Sequence, residues 1–180
     1  GNLGATNVMD HVGRWTGFGL GVFDTVGKGT LPVLAAGLMG QSLAVQALAG
    51  LAAMAGHNWS PYVGFTGGRG VATAIGVLLG LSMWWEMLAG ALMIGVVGRL
   101  ITRDTAVWTM LSALALPLLA YLYGEPRELV YMSAGIAALL AAKRLTANWE
   151  PPGDEHSLVR VLGRRLLWDR DAPHRALWTG

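Results

Sequence analysis

The sequence predicts an all-α fold, a polytopic membrane helix bundle of about six transmembrane or half-membrane helices. Of the 180 residues only 13% are charged and 53% are hydrophobic, about half the roughly 25% charge of an ordinary soluble domain. The charges are also clustered: Asp, Glu, Lys and Arg are missing from Gly29 to Gly68 and over residues 70–85, 87–98, 105–124 and 129–142. A membrane-crossing helix needs about 20 mainly apolar residues, and these windows, each bounded by charge, have that scale.

Taken in order, the breaks place helices at about 17–39, 42–56, 70–83, 84–102, 105–123 and 127–147. The first carries Asp24 and Lys28 and then enters the long uncharged run, which the second occupies up to His57-Asn58-Trp59-Ser60-Pro61. The third opens at the end of a glycine-rich loop, and the remaining three fill the last uncharged windows. Glycines inside the apolar stretches, such as Gly37, Gly76, Gly80, Gly90 and Gly95, would each weaken a soluble helix by about 1 kcal/mol relative to alanine. In lipid, small residues instead let helix backbones approach closely.

If the helices alternate direction, one side of the membrane receives Arg14, Arg69, Arg99, Arg103, Lys143, Arg144 and the arginines of the tail, and the other only Arg127. The positive-inside rule makes the first side cytoplasmic. Residues 1–150 then form a membrane-integral domain and residues 151–180 a basic cytoplasmic tail. Within that tail Leu158, Val159, Val161, Leu162, Leu166 and Leu167 alternate with Arg160, Arg164 and Arg165. This is either a helix lying on anionic lipid or a juxtamembrane tail whose arginines enforce topology.

The chain has no cysteine, which excludes disulfides, thiolate catalysis and Cys-ligated metals, and its net charge of +2 is too small to argue for nucleic acid. His11, His156 and His174 lack metal-ligand spacing, and no histidine has an Asp five residues downstream. No metal site and no cofactor are therefore expected.

Four features are able to carry chemistry. The loop Gly64-Phe65-Thr66-Gly67-Gly68-Arg69-Gly70-Val71-Ala72-Thr73 can turn backbone N–H groups into an anion nest at a helix N-terminus, with Arg69 completing a phosphate site. It lacks the Walker A spacing, and a plain glycine turn would read the same way. The N-terminal Gly1-Asn2-Leu3-Gly4-Ala5-Thr6-Asn7 offers uncharged hydrogen-bonding groups for hydroxyls or phosphate, or simply a helix cap. Asp24 and Lys28 stand one helical turn apart as either a structural ion pair or an intramembrane functional pair. His57 is either a general base or phosphate ligand, or an interfacial histidine beside a belt tryptophan.

Together GNLGATNVMD, FDTVGKGTLPV, GHNWSPYVGFTGGRGVATAIGVLLG, LITRDT and KRLTANWEPP resemble, in order and spacing, the bacterial acyl-phosphate:glycerol-3-phosphate acyltransferases, from Gly1 to about Pro151. The resemblance implies an enzyme of the bacterial inner membrane with a cytoplasmic active site and C-terminus. Such an enzyme moves a fatty acyl group from acyl phosphate to the 1-hydroxyl of sn-glycerol 3-phosphate, giving lysophosphatidic acid in phospholipid biosynthesis. Its partners are those two substrates and membrane lipid, and the substrate phosphate itself accepts the hydroxyl proton. By the same resemblance Asn2, Gly4, Thr6 and Asn7 match the family's first motif. Gly56, His57, Gly67, Gly68, Arg69, Gly70 and Thr73 match its second, Thr102 and Arg103 a shorter element, and Lys143, Arg144 and Glu150 the end of its third.

Of these, Asn2, Thr6, Asn7, His57, Arg69 and Glu150 are expected to act in catalysis. Gly4, Gly67, Gly68, Arg69, Gly70, Thr73, Arg103, Lys143 and Arg144 are expected to hold substrate phosphate. The family's serine before Gly1 is not in the chain, which is accordingly read as a fragment lacking one helix of an expected seven. Asp10 stands where the family has arginine, Arg69 and Thr66 where it has lysines and Ala106 where it has serine, and residues 138–142 lack the usual His-Arg and Asn. These departures leave two alternatives open: a relative with another acceptor or lost turnover, and a non-enzymatic membrane protein or transporter using Asp24 and Lys28.

Overall fold

The computed structural model describes residues 4–151 and 157–171. Chain order runs through a short helix α1 (Ala5–His11), a long helix α2 over residues 14–38, α3 (Leu43–Asn58), α4 (Val71–Gly80), α5 (Trp84–Ile101), α6 (Thr105–Leu122), α7 (Arg127–Thr146) and α8 (Leu158–Trp168). The six apolar helices of the sequence reading are α2 to α7, with ends within a few residues of their expected places. Helices α5, α6 and the run Arg127–Trp149 are long and apolar enough to cross a membrane, whereas α4, at 10 residues, is shorter. The result is an all-helical membrane bundle whose outer faces carry exposed apolar side chains such as Leu38, Trp84, Leu118 and Tyr131.

Short connections make α5, α6 and α7 successive neighbours, and α7 also packs on α3. The core they share is built from Val33, Met54, Val77, Met83, Leu116, Met132, Ile136 and Leu140. Its tightest contact is the crossing of α2 and α4, where Gly29 and Gly76 face one another with no side chain between. A Cβ on Gly76 would land on the carbonyl of Thr25 and the Cα of Gly29. That approach lets Thr30 Oγ1 donate to the Gly76 carbonyl at 2.9 Å, giving two helices in an apolar medium a polar tie as well as close packing.

Two stretches, Phe23–Thr30 of α2 and Leu92–Ile101 of α5, wind as π-helix. Such windings are uncommon and cluster at functional positions; the first one contains Asp24 and Lys28. Helix α1 is an addition to the sequence reading, which took its residues as a cap; it lies against α2, where Gly17 leaves room for Met9 and the Ala5 carbonyl.

The tail segment, which the sequence left between a helix lying on lipid and a topology-enforcing tail, is helical over Leu158–Trp168 and docks on α6 and α7. Two buried arginines stitch it down. Arg144 at the end of α7 donates to the carbonyls of Leu166 and Leu167, which have no partner inside α8, and to that of Ala106. Arg165 of α8 donates to the carbonyls of Leu145 and Glu150 and forms a two-point pair with Asp171 at 2.6 and 2.7 Å. A charged pair of that geometry is among the stronger side-chain interactions, and it raises the affinity of Arg165 for its proton.

Candidate active site

Helix α3 ends on His57 and Asn58, both buried. The chain then reverses through a turn at Pro61–Val63 and a one-rung bridge between Ser60 and Thr66. Gly64 and Phe65 take left-handed backbone angles there, and Gly70, at φ 78°, starts α4. The glycines of this loop are required by close approach. A Cβ on Gly67 would strike the carbonyls of His57 and Asn58, and one on Gly68 the imidazole edge at Nε2 of His57. The loop backbone therefore lies directly on the end of α3.

A second strap fixes it from the other side. Ala147, Asn148 and Trp149 all have positive φ, at 42°, 55° and 68°. Each such non-glycine residue costs roughly 1–3 kcal/mol and persists only where surrounding contacts impose it. Here Asn148 Oδ1 accepts from the N–H of Gly67 at 3.2 Å and from Lys143 Nζ at 2.7 Å, and Trp149 Nε1 donates to the Phe65 carbonyl at 3.0 Å. Lys143 is fully buried, donates also to the Asn58 carbonyl and lies over the Trp59 ring.

Between α2, the end of α3 and this loop lies a cavity of about 690 Å³, bordered by Gly56, His57, Gly67, Gly68 and Lys28 together with apolar Val8, Leu20, Pro32 and Ala53. At its wall the π-wound segment brings three ionisable groups together. Asp24 Oδ1 lies 2.7 Å from Lys28 Nζ and 3.5 Å from His57 Nδ1, and Lys28 Nζ lies 3.5 Å from the same nitrogen. Asp24 is 2% exposed, so its charge depends on these partners. The arrangement supplies a cation, an imidazole with one nitrogen occupied by Asp24, and a glycine floor, beside apolar walls. It suits an anionic group attached to a hydrocarbon chain.

The structure distributes the other expected residues differently. Asn2 lies outside the described residues. Gly4 begins α1, where its carbonyl accepts from Val8 N, and Thr6 and Asn7 follow on α1, whose Val8 touches the cavity. The Asn7 carbonyl lies 2.9 Å from His11 Nδ1. Thr73 is buried, and its hydroxyl is without a hydrogen-bond partner among the described residues. Thr102 turns its hydroxyl back to the Val97 carbonyl, and Arg103 is exposed in the turn between α5 and α6, with φ 56°.

Arg69 forms a 2.7 Å ion pair with Asp169, just past the end of α8. Burial raises the Asp169 carboxyl above the ordinary range, against the opposing pull of Arg69 and Arg144. Lys143 and Arg144 are engaged with carbonyl groups, and the Glu150 carbonyl accepts from Arg165. The N–H of Gly67, expected in an anion nest, is directed to Asn148. No group of three or more His, Asp or Glu able to hold a metal ion occurs among the described residues.

Three contacts were missed from the sequence. The contact of Lys28 with His57 spans 29 positions, and only the block order hinted that the two segments meet. The clamp by Asn148 had one signal, an asparagine where a left-handed turn is tolerated. The pairing of Arg69 with Asp169 had none.

The chain matches known proteins over most of its length. The family model described as glycerol-3-phosphate acyltransferase matches residues 1–150. Glycerol-3-phosphate acyltransferase 4 of Dehalococcoides mccartyi (strain CBDB1) is 33% identical over 186 residues, covering 99% of this chain and 78% of that protein. The glycerol-3-phosphate acyltransferase of Geobacter sulfurreducens is 40% identical over 143 residues, covering 79% of this chain and 72% of that one. The crystal structure of PlsY (YgiH), an integral membrane glycerol 3-phosphate acyltransferase, in its glycerol 3-phosphate form superposes with a TM-score of 0.71 at 31% identity, covering 80% of this chain and 71% of that chain. Its lysophosphatidic acid form gives 0.70 at 28% identity, with 80% and 72% covered.

Proposed function

The chain belongs to the glycerol-3-phosphate acyltransferase family, and from that premise we propose that it acylates the 1-hydroxyl of sn-glycerol 3-phosphate with acyl phosphate as donor, releasing lysophosphatidic acid and phosphate. The observation that carries this reading is the cavity where Lys28, His57 and the Gly67-Gly68 floor meet apolar helix faces. Both substrates bear a phosphate and one bears an alkyl chain, and this cavity offers a matching surface to each. The reading also sets the cavity end of the bundle, with the arginine-rich loops and tail, on the cytoplasmic side of the bacterial inner membrane.

The chemistry asks little of the protein beyond placement. In acyl phosphate the carbonyl carbon already carries a good leaving group. The 1-hydroxyl oxygen attacks that carbon, the bond from the carbon to the phosphate oxygen breaks, and the departing phosphate takes the hydroxyl proton. No covalent enzyme intermediate is required, and the catalytic gain comes from orientation and from fixed donors on the developing charge. Asp24, accepting from Nδ1–H of His57, leaves Nε2 facing the space that Gly68 keeps open, where it orients the hydroxyl. Gly56, Gly67 and Gly68 shape the pocket floor, Gly70 lies close against Asn58 at the start of α4, and Thr73 is assigned by motif. Asn148 and Lys143 hold the loop in place and Arg144 holds the tail helix, rather than touching substrate. Asn2, Gly4, Thr6 and Asn7 are assigned to the site by the motif, Val8 beside them being the residue of α1 that lines the cavity, and Glu150 and Arg103 are assigned by motif as well.

The test is acyl transfer by the full chain in vesicles, with radiolabelled glycerol 3-phosphate and three donors in parallel: acyl phosphate, acyl-CoA and acyl carrier protein. Lysophosphatidic acid formed from acyl phosphate alone is expected. Product from either thioester without acyl phosphate, or transfer only to another acceptor, would contradict the reading.

A further inference from the structure

We propose that Lys28, held in place by Asp24, is the cation that receives the substrate phosphate, a function the motif comparison had assigned to Arg69 and to the basic residues near the end of α7. The proposal rests on the acyltransferase reading and names the group that does its anion binding.

The positive charges of the bundle are unequally disposed toward the cavity. Among the described residues Lys28 is the only Lys or Arg bordering its 690 Å³. Arg69 is turned onto Asp169 at 2.7 Å. Lys143 and Arg144 are buried on carbonyl groups of the protein itself. Asp10 and Thr66 occupy the positions where the family pattern has an arginine and a lysine, so two further cations expected by resemblance are missing.

Lys28 is differently disposed. Its side chain is 38% exposed while that of Asp24, 2.7 Å away, is 3% exposed. An ammonium has three donors. One is directed to Asp24, and His57 Nδ1, 3.5 Å away, gives its hydrogen to Asp24 and accepts none from the ammonium, so donors remain for the cavity. The Phe23 ring flanks the same ammonium at 5.5 Å, and the π winding of Phe23–Thr30 sets Asp24 and Lys28 on the cavity wall. Asp24 is thus a positioning residue: buried and fixed, it limits the directions open to a flexible lysine. A phosphate monoester arriving at the Gly68 floor would meet Lys28 there in a charge-assisted hydrogen bond, with its hydroxyl end left to the imidazole of His57.

The composition supplies a clean experiment, because the chain has two lysines, Lys28 and Lys143, and Lys143 is fully buried. Wild-type protein in vesicles is reductively methylated with and without saturating glycerol 3-phosphate, or inorganic phosphate, and the modified peptides are mapped by mass spectrometry. Lys28 should be modified in the free protein and at least tenfold more slowly with either ligand. Equal modification rates with and without both ligands would overturn the proposal, and this readout does not depend on any variant folding. In kinetics, Lys28→Met should raise KM by about 10- to 100-fold for a phosphate-bearing substrate, and Lys28→Arg should recover most of it. A KM increase confined to glycerol 3-phosphate assigns Lys28 to the acceptor, and one confined to acyl phosphate assigns it to the donor. Lys28→Met with both KM values unchanged, whatever its thermal stability, would reduce the lysine to a counter-ion for Asp24 and overturn the proposal. If wild type transfers from no acyl phosphate yet shows phosphate protection of Lys28, the anion site stands and the acyltransferase reading fails.

Discussion

Replacing Gly76 with alanine tests how the site is held, because the added methyl group has nowhere to go. Its Cβ would overlap the Thr25 carbonyl and the Cα of Gly29, both backbone atoms of α2, so neither can swing aside as a side chain would. Overpacking of this kind costs about 1–3 kcal/mol. Separating the helices also loses the 2.9 Å bond from Thr30 to the Gly76 carbonyl, with a net worth of about 0.5–1.5 kcal/mol. The sum, about 1.5–4.5 kcal/mol, corresponds for a chain of this size to a Tm lower by roughly 3–18 °C. The displaced segment carries Asp24 and Lys28, so KM for glycerol 3-phosphate should rise with the loss of stability. Gly19→Ala is the control: it sits within α2 with nothing within 4 Å of the new Cβ, and should leave Tm unchanged or raise it slightly. Thermal unfolding in detergent, followed by scattering or tryptophan emission, measures both. A Gly76→Ala protein as stable as wild type would refute the claim that this glycine pair sets the spacing of α2 and α4.

Other expectations follow from the straps around the loop. Asn148→Gly, which tolerates the 55° φ but removes the acceptor of Gly67 N–H and Lys143, should lower kcat by about tenfold with little change in insertion, measured by steady-state transfer; an unaltered kcat would show that the clamp is dispensable. Burial holds the Asp169 carboxyl above its ordinary range, and a carboxyl raised on docking favours the docked tail while it is protonated. Docking of α8 should therefore be tightest in acid and weaken as pH rises through that raised value, read as the mobility of a spin label at Gly163; Asp169→Asn should abolish the dependence, and tighter docking at high pH would contradict it. For topology, single cysteines at Thr66 and Thr179 should be labelled from the cytoplasmic face and one at Gly124 from the opposite face, any other pattern meaning a wrong helix count.

Much of this fold is legible in the sequence because charge is excluded from lipid. The windows free of Asp, Glu, Lys and Arg mark α2 to α7 with ends close to those observed, and glycine in apolar stretches announces close helix crossings. What periodicity cannot show is a change of winding. Asp24 and Lys28 read as neighbours on an ordinary helix face, yet they lie in a π-helical segment, and no local pattern distinguishes the two. Site residues were legible where the requirement is local: Gly68 must lack a side chain because His57 lies against it. They were illegible where the partner is distant. Arg69 has the sequence of a phosphate ligand, and its pairing with Asp169 depends on how a docked tail folds back. The family resemblance makes Lys143 and Arg144 substrate cations, but helix ends expose carbonyls that need donors, and these two residues donate to such carbonyls.

The most direct test of the central claim, that one cavity between α2, α3 and the glycine loop binds the phosphate of the substrate, is an experimental structure of the full chain with glycerol 3-phosphate bound. The account predicts phosphate oxygens within hydrogen-bonding distance of Lys28 Nζ and over the Gly68 backbone, with the glycerol 1-hydroxyl beside His57 and the Arg69–Asp169 pair intact. Glycerol 3-phosphate bound instead to Arg69 or Arg103, with Lys28 still paired only to Asp24 and the cavity without substrate, would contradict it.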